Sequence, residues 1–427
     1  MLFKLVYILF FITSYLYGSL QLVGPITPRH IMTIVMLALC FREGMPKLDK
    51  YMMLFIIFTS CVLCSGLAYP QYMPDALKWV VAAHFVSIVA FQATRILIEK
   101  YNAANCLLYT FIAIGVLDAI VTIGQFQIGP YAEVIMNVVA NNVDTDQLDM
   151  SEYHGGDSMA GFVPPGLVGA VANGYLLSAL TILVLYNKRA KIGLLNIVLW
   201  LFCLYALYCL QERTALVAGS VLSMFLLYKI GLSTAKDNIY LKLLINIVVI
   251  AVAIAVIVAF IVMSADNEEM RYNEGFEMTD MRTQLIMNAI SFISENPLGC
   301  IFEYNRLNHN LPPHNLFLNA FVWGGYLGGL CIMLLLVWQG WIAIKRILER
   351  VNPRNIMPYT FVLAYVCFTL NSINHNISIV MGDFYFWAFW AVCIYQDEAP
   401  ELQDEKEGWL KRVLHSLLTV KNKQKEI

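Results

Sequence analysis

The chain has 427 residues, of which 59% are hydrophobic and 14% charged, with a mean hydropathy of +0.65. A soluble domain of this length needs far more polar surface, so that class is excluded; apolar runs long enough to cross a membrane recur along the whole sequence. The formal net charge of −2 leaves no electrostatic footprint for nucleic acid, and no such partner is expected.

About twelve runs have the length needed to cross a ~30 Å hydrocarbon core. In order they are Leu2–Leu20, Arg29–Phe41, Tyr51–Ala68, Asp75–Ile98, Ala103–Gly124, Phe162–Tyr186, Ile192–Cys209, Thr214–Ile230, Tyr240–Met263, His314–Ile344, Pro358–Asn371 and Ile377–Ile394. The expected fold class is therefore all-α, a polytopic transmembrane helical bundle. The first run follows Lys4 and reads as an uncleaved span rather than a signal peptide. Ile192 to Ile230 is apolar except for Gln211-Glu212-Arg213. As one straight helix it would be ~58 Å long, too long for one crossing. It is expected to be a hairpin or a broken helix with Arg213 near its tip. The chain divides into 1–263, holding the first nine spans and an acidic loop at 125–161; an external loop at 264–313; three spans at 314–396; and a cytoplasmic tail at 397–427. In that tail Trp409, Leu410, Val413, Leu414, Leu417 and Leu418 recur at helical spacing among lysines, which suits a helix lying on the inner membrane surface.

Lysine and arginine set the orientation. With the N-terminus inside, the inner connections hold Arg42, Lys47, Lys50, Arg95, Lys100, Lys188, Arg189, Lys191, Lys229, Lys236, Lys345, Arg346, Arg350 and Arg354, and the tail adds Lys406, Lys411 and Arg412. The outer loop Gln125–Gly161 has no Lys or Arg, while it carries Glu133, Asp144, Asp146, Asp149, Glu152 and Asp157. A solvated loop is the plainer reading of those acids; a divalent cation is the other. Both termini are thus expected in the cytoplasm. The basic residues left at or beyond the outer face are Arg29, Lys78, Arg213, Arg271, Arg282 and Arg306. For Arg271 and Arg306 a solvated loop charge, or a salt bridge to Glu268, Glu269 or Glu274, weighs at least as much as a functional role. For Arg213 and Arg282 a role is favoured.

The ten cysteines are scattered, mostly in apolar runs, where they behave as small hydrophobes. Cys61 and Cys64 read as packing, and Cys300 stands alone in the long external loop, so no disulfide is implied there. No HExxH or loop CxxC pair occurs, and no DxD-type cluster lies beside His314, so neither a metal nor another cofactor is expected.

Met278–Asn296 reads as an external amphipathic helix. Thr279 is placed as its N-cap, Leu285, Ile286, Ala289, Phe292 and Ile293 as its apolar stripe, and Pro297 and Gly299 as its stop. Arg282 lies three and four residues before Leu285 and Ile286, on the face that must pack on the membrane domain. An arginine there needs an anionic partner, either a carboxylate or a phosphate bound bidentately. His314 follows Pro312-Pro313 and opens the tenth span. A helix start offers free N–H groups and a partial positive charge, which bind phosphate and disfavour imidazolium. A polar interface anchor is the bland reading of the same histidine. His309 and His375 lie near the outer face and rank lower. Gly324, Gly325, Gly328 and Gly329 read as a close helix-packing surface that a lipid tail could share. His84, Asp118 and Asp383 are ionisable groups within spans, candidates for function or, for His84 and Asp118, a structural pair.

The order of these features resembles the bacterial O-antigen ligase and O-antigen polymerase family. The matching residues are Glu212-Arg213-Thr214-Ala215-Leu216 opening a span and Met281-Arg282 on a helix ending Glu295-Asn296-Pro297-Leu298-Gly299. His314-Asn315-x-x-Leu318 and the Gly-rich Trp323–Gly329 follow. The match is good from Gln211 to about Leu330 and rests elsewhere on the span count. Cys300 departs from the glycine often found there, and the short loop before His314 leaves ligase and polymerase both open. The resemblance implies the fold of helical, metal-independent glycosyltransferases with lipid-linked donors. It implies that Arg213 and Arg282 bind a donor pyrophosphate and that His314 stands at the reacting centre. Asn315, Arg306, Lys78 and His375 complete the candidate substrate-binding set. The implied partners are an undecaprenyl-pyrophosphate-linked oligosaccharide donor, a glycan or lipid A core acceptor, membrane lipids and a polysaccharide chain-length regulator. A polysaccharide or lipid transporter is the rival from another class. It would be expected to show internal repeats and broken, charged helices at the midplane. A non-catalytic scaffold of a polysaccharide complex is the third.

The charge sorting places Ser264–Pro313 outside. A cysteine introduced by Asn267→Cys should react with a membrane-impermeant maleimide added to intact cells, and labelling that needs membrane disruption would reverse the orientation.

Overall fold

The structure is a computed structural model. It describes residues 2–16, 27–128 (save 45 and 47), 194–209, 213–235, 238–251 (save 248), 254, 277–349 (save 310 and 314), parts of 359–370, and 384–395. Among these every element is helical. The helices are α1 (Leu2–Leu16), α2 (Pro28–Glu43), α3 (Lys50–Ala68), α4 (Met73–Trp79), α5 (Phe85–Glu99), α6 (Ala104–Ile128), α7 (Leu194–Cys209), α8 (Arg213–Ala235), α9 (Glu277–Glu295), α10 (Ile301–Leu307), α11 (Leu316–Leu348) and α12 (Phe384–Tyr395). A 3₁₀ turn, Pro70–Tyr72, leads into α4, and a π-helical turn, Val80–His84, joins α4 to α5. Lys50–Ala68, Pro70–Glu99, Cys106–Gly124 and Leu316–Leu348 are long and apolar enough to cross a membrane, the pattern of a membrane protein. The expected span Phe162–Tyr186, most of the acidic loop, Ser264–Phe276 and the C-terminal tail lie outside the described residues, as do Asp383 and the start of Ile377–Ile394.

The apolar stretch around Arg213 is two helices. α7 ends at Cys209 and α8 begins at Arg213, and the two pack against each other. α12 occupies the bundle centre: every residue from Phe384 to Cys393 is buried. A helix apolar on all faces can only be core. Its rings meet α1 through Phe11 and Phe384, α3 through Phe55 and Trp387, and α6 through Phe111 and Phe389. Its longest packed flank is against α5.

α3 and α11 run antiparallel. Lys50 Nζ sits 3.7 Å from the centroid of the Trp338 ring, while Phe58 lies against Gly324 and Gly328. The bundle therefore has two chemically distinct ends. One gathers Arg42, Glu43, Asp49, Lys50, Lys100, Lys345 and Arg346. There Lys100 bonds to Glu43 and the Tyr395 hydroxyl donates to Asp49 Oδ2 at 2.6 Å. The other end gathers Tyr69, Tyr72, Asn296, Glu303 and Arg306.

α11 is broken at Gly325, whose φ of 63° and ψ of −164° lie outside helical space. Its 33 residues would span about 50 Å if straight, more than the core thickness. The break frees the Tyr326 N–H from the helical ladder, and the Pro297 carbonyl accepts it at 3.0 Å. Gly299 (φ 67°) completes the junction. A Cβ on Gly299 would stand 2.5 Å from Gly325 N and 2.7 Å from Val322 O. A Cβ on Gly325 would collide with the Pro297 carbonyl in turn. Both glycines are required twice, for a left-handed φ and for backbone lying directly on backbone.

Gly299→Ala and Gly325→Ala should each destabilise the protein by roughly 3 kcal/mol or more, since strain and overpacking add. Gly340, also on α11, has nothing within 4 Å of where a Cβ would stand. Gly340→Ala should be neutral or stabilising. Thermal unfolding of the three variants in detergent decides this, and a Gly299→Ala protein as stable as Gly340→Ala would refute the junction.

Candidate functional site

The end of the bundle that carries Asn296 and Glu303 is assembled from two sequence-distant segments, one at Tyr69–Tyr72 and one at α9–α10. α9 buries Leu285, Ala289, Phe292 and Ile293, the expected stripe, while Met287 and Ile290 are exposed. The helix begins at Glu277, upstream of the expected cap, so Thr279 lies within its first turn. α10 packs back on α9: the Tyr304 hydroxyl donates to the Leu285 carbonyl at 2.8 Å, and Asn288 Nδ2 donates to Asn308 Oδ1 at 2.7 Å. The Tyr69 hydroxyl at the end of α3 donates to Asn296 Oδ1. The Tyr72 hydroxyl donates to Glu303 Oε2 at 2.8 Å. Cys300 is buried at the start of α10, and burial pushes its thiol pKa up, which keeps it unreactive.

Arg306 is held by Glu303, with Nε donating to Oε2 at 2.9 Å and a terminal nitrogen donating to Oε1 at 2.6 Å. Glu303 is thus a partner of Arg306 that the sequence reading did not name, while Glu268, Glu269 and Glu274 lie outside the described residues. The doubly bonded Arg306 holds the Glu303 carboxyl below its ordinary pKa, with partial burial opposing and the Tyr72 bond adding.

α11 starts at Leu316, not at His314, because Asn315 is the N-cap: its Oδ1 accepts from the N–H groups of Phe317 at 3.0 Å and Leu318 at 3.1 Å. Two of the N–H groups expected to face a phosphate are therefore already used by Asn315. His314 itself and His375 lie outside the described residues. Arg213 opens α8 and Arg282 lies in the second turn of α9; the side chains of both are outside the described residues. Lys78 is exposed in the last turn of α4. The structure brings Arg306 and Asn315 to the same end on α10 and α11, which pack together. α9, carrying Arg282, packs on α11 as well.

Between α3, α4 and α11 lies a second polar group that sequence reading only partly found. The π turn is closed by the Phe85 N–H bonding to the Val80 carbonyl, five residues back. On a regular α-helix Trp79 and His84 would point about 140° apart; the wider π turn brings them towards one face. Both rings approach Trp323 of α11, with centroid separations of 5.4 Å for Trp79 and 6.5 Å for His84. Thr59 donates its hydroxyl hydrogen to the Phe55 carbonyl at 2.9 Å, so in the 3.2 Å contact with His84 it accepts from Nδ1–H. Neutral His84 then carries its acceptor lone pair on Nε2. Asn319, fully buried one turn after Asn315, and Trp323 one turn later were not singled out, although polar residues at i+4 spacing inside an apolar run are a legible signal.

Lowering the Glu303 pKa means that the pair stabilises the fold above the unfolded glutamate pKa and ceases to do so as pH falls through the folded value. Glu303→Gln should lower the melting temperature at neutral pH, and the gap to wild type should close as the pH is taken below the ordinary glutamate range. A gap independent of pH would show that the carboxylate charge contributes nothing. No family model matches the chain, and no curated protein matches it, so a functional reading has to rest on these residues.

Proposed function

We propose that the chain is a membrane glycosyltransferase that polymerises undecaprenyl-pyrophosphate-linked oligosaccharide units. On this reading it has about twelve spans in a bacterial inner membrane and adopts the fold of metal-independent membrane glycosyltransferases. The basic end, with Arg42, Lys50, Lys100, Lys345 and Arg346, faces the cytoplasm together with both termini. The end bearing Glu303 and Asn315 faces the periplasm. The observation that supports the reading best is the Gly299–Gly325 junction. It ties the helix carrying Arg282 to the helix that starts beside His314, so that two segments of the resemblance share one rigid anchor. Transfer to a lipid A core acceptor, the ligase reaction, uses the same chemistry with a different hydroxyl.

The residues divide that chemistry between them. His314, neutral beside a helix start, takes the proton of the acceptor hydroxyl. The oxygen attacks the anomeric carbon in line, a new glycosidic C–O bond forms, and the bond from that carbon to the pyrophosphate oxygen breaks. Undecaprenyl pyrophosphate leaves with the bonding electron pair, and configuration inverts. Arg213 and Arg282 stabilise the negative charge developing on the leaving group. The imidazolium then returns its proton to solvent.

Arg282→Lys keeps the charge and loses the planar fork, so chain formation should fall by roughly 10²–10³-fold. His314→Ala should abolish transfer with donor binding largely kept, and Arg213→Ala should weaken both. Chain formation in membranes at matched protein levels, alongside binding of lipid-linked donor, measures this, and excess chelator should not change the wild-type rate. Normal rates in both Arg282→Lys and His314→Ala would leave the arginines as structural charges and end the proposal.

A further inference from the structure

The cluster at Trp323 breaks the rule that buried polar groups are satisfied. Asn319 has no exposed surface, and neither its Oδ1 nor its Nδ2 has a hydrogen-bond partner. The indole Nε1 atoms of Trp79 and Trp323 are buried and without an acceptor as well. Asn319 and Trp323 are four residues apart, stacked on one face of the first half of α11, and the π turn presents Trp79 to the same place. An unpaired buried amide costs on the order of 1–3 kcal/mol. Several such groups in one place mark a site built for something other than stability.

The chemistry of the group specifies its ligand. Its described residues offer two amide N–H bonds, two indole N–H bonds and one carbonyl oxygen, with no lysine or arginine among them; Lys78, next to Trp79, is exposed. A pyrophosphate would leave water for a site with no countercharge. A neutral ring bearing several hydroxyls matches the donors and the acceptor. Trp79 and Trp323 lie against each other with ring centroids 5.4 Å apart, and Phe302 is 5.6 Å from Trp323; the flank of this aromatic stack is the apolar surface on which the C–H face of such a ring packs. The location fits as well, since Asn319 lies one turn from the Asn315 cap that opens α11.

We propose that Asn319, Trp323 and Trp79 form a subsite for a neutral sugar ring of the glycan, hydrogen-bonded by the amide and the two indoles. The choice of a glycan as ligand rests on the transfer reading above. Phe302 lies between Trp323 and Tyr72 on the α10 side, and its displacement opens the way in.

The test uses full-length protein in lipid nanodiscs and a panel of methyl hexopyranosides at tens of millimolar, read by saturation-transfer NMR on the sugar C–H protons. Wild type should bind at least one member. Asn319→Leu, of similar volume without the amide, should weaken binding about tenfold while its melting temperature stays the same or rises. Trp323→Phe keeps the ring and loses the donor; it should weaken binding in the same sense, and it serves should Asn319→Leu fail to fold. Absence of binding to wild type overturns the subsite. So does unchanged binding in either variant, including the case where Asn319→Leu melts lower and binds normally, which would indicate an amide satisfied by buried water. The assay contains no pyrophosphate and no transfer step, so the two readings separate. Lost transfer in Arg282→Lys with no sugar signal sinks the subsite alone. A sugar signal that Asn319→Leu removes, with normal transfer in Arg282→Lys and His314→Ala, sinks the transfer reading alone.

Discussion

Backbone rests on backbone where Gly299 meets Gly325, and most of the chemistry at that end of the bundle is positioned from this contact. The break in α11 and the tight turn after α9 are each unfavourable alone, since each strands a helix terminus with unsatisfied groups. Together they answer one another, because the N–H that the break releases at Tyr326 finds the carbonyl that the turn presents at Pro297. The arrangement also suits a membrane span. Beyond the break, Tyr326–Leu348 is about 34 Å long, close to the core thickness, and the first half of α11, capped by Asn315, carries Asn319 and Trp323. Gly324 and Gly328 face Phe58 and Cys61 of α3, while Gly329 receives Phe321 of its own helix, folded back across the bend.

The run of glycines illustrates how far sequence reaches. Small residues four apart in an apolar helix announce a close approach, and the approach to α3 is there. What the spacing does not encode is that Gly325, one residue after Gly324, is a break rather than a contact. Only the partner turn, more than twenty residues away in sequence, decides between the two. Among the described residues, helix starts were legible to within a turn because hydrophobic periodicity sets them, while ends were less so: α8 runs to Ala235, five residues past the expected Ile230. α3 read as Tyr51–Ala68 and folds as Lys50–Ala68; the start of α11 moved from His314 to Leu316 because an asparagine prefers to cap.

Pairings across sequence were not legible. Tyr72 and Glu303 are 231 positions apart, and Tyr69 and Asn296 are 227 apart. Composition fixed neither, and Glu303 was not named as a partner for Arg306. The π turn escaped for another reason. An inserted residue shifts the phase of an apolar pattern only slightly, and in a segment as apolar as Trp79–Ala93 few polar residues, His84, Ser87 and Gln92, are there to reveal the shift. That histidine, left between function and pairing on sequence grounds, is oriented by Thr59 and enclosed by Phe55, Phe58 and Trp323.

The position of α12 in the bundle has a bearing on biogenesis. Its ten consecutive buried residues lie near the far end of the sequence, yet they fill the space between α1, α3, α5 and α6, and Tyr395 reaches back 346 positions to Asp49. The ribosome delivers the centre last. Until α12 enters the bilayer, the helices already inserted enclose a space lined with phenylalanines that lipid must occupy, and they hold only the pairings they make with one another. Closure of so long a loop is slow by the general relation between contact separation and rate. Completion of the core therefore waits on the last of these helices to be made.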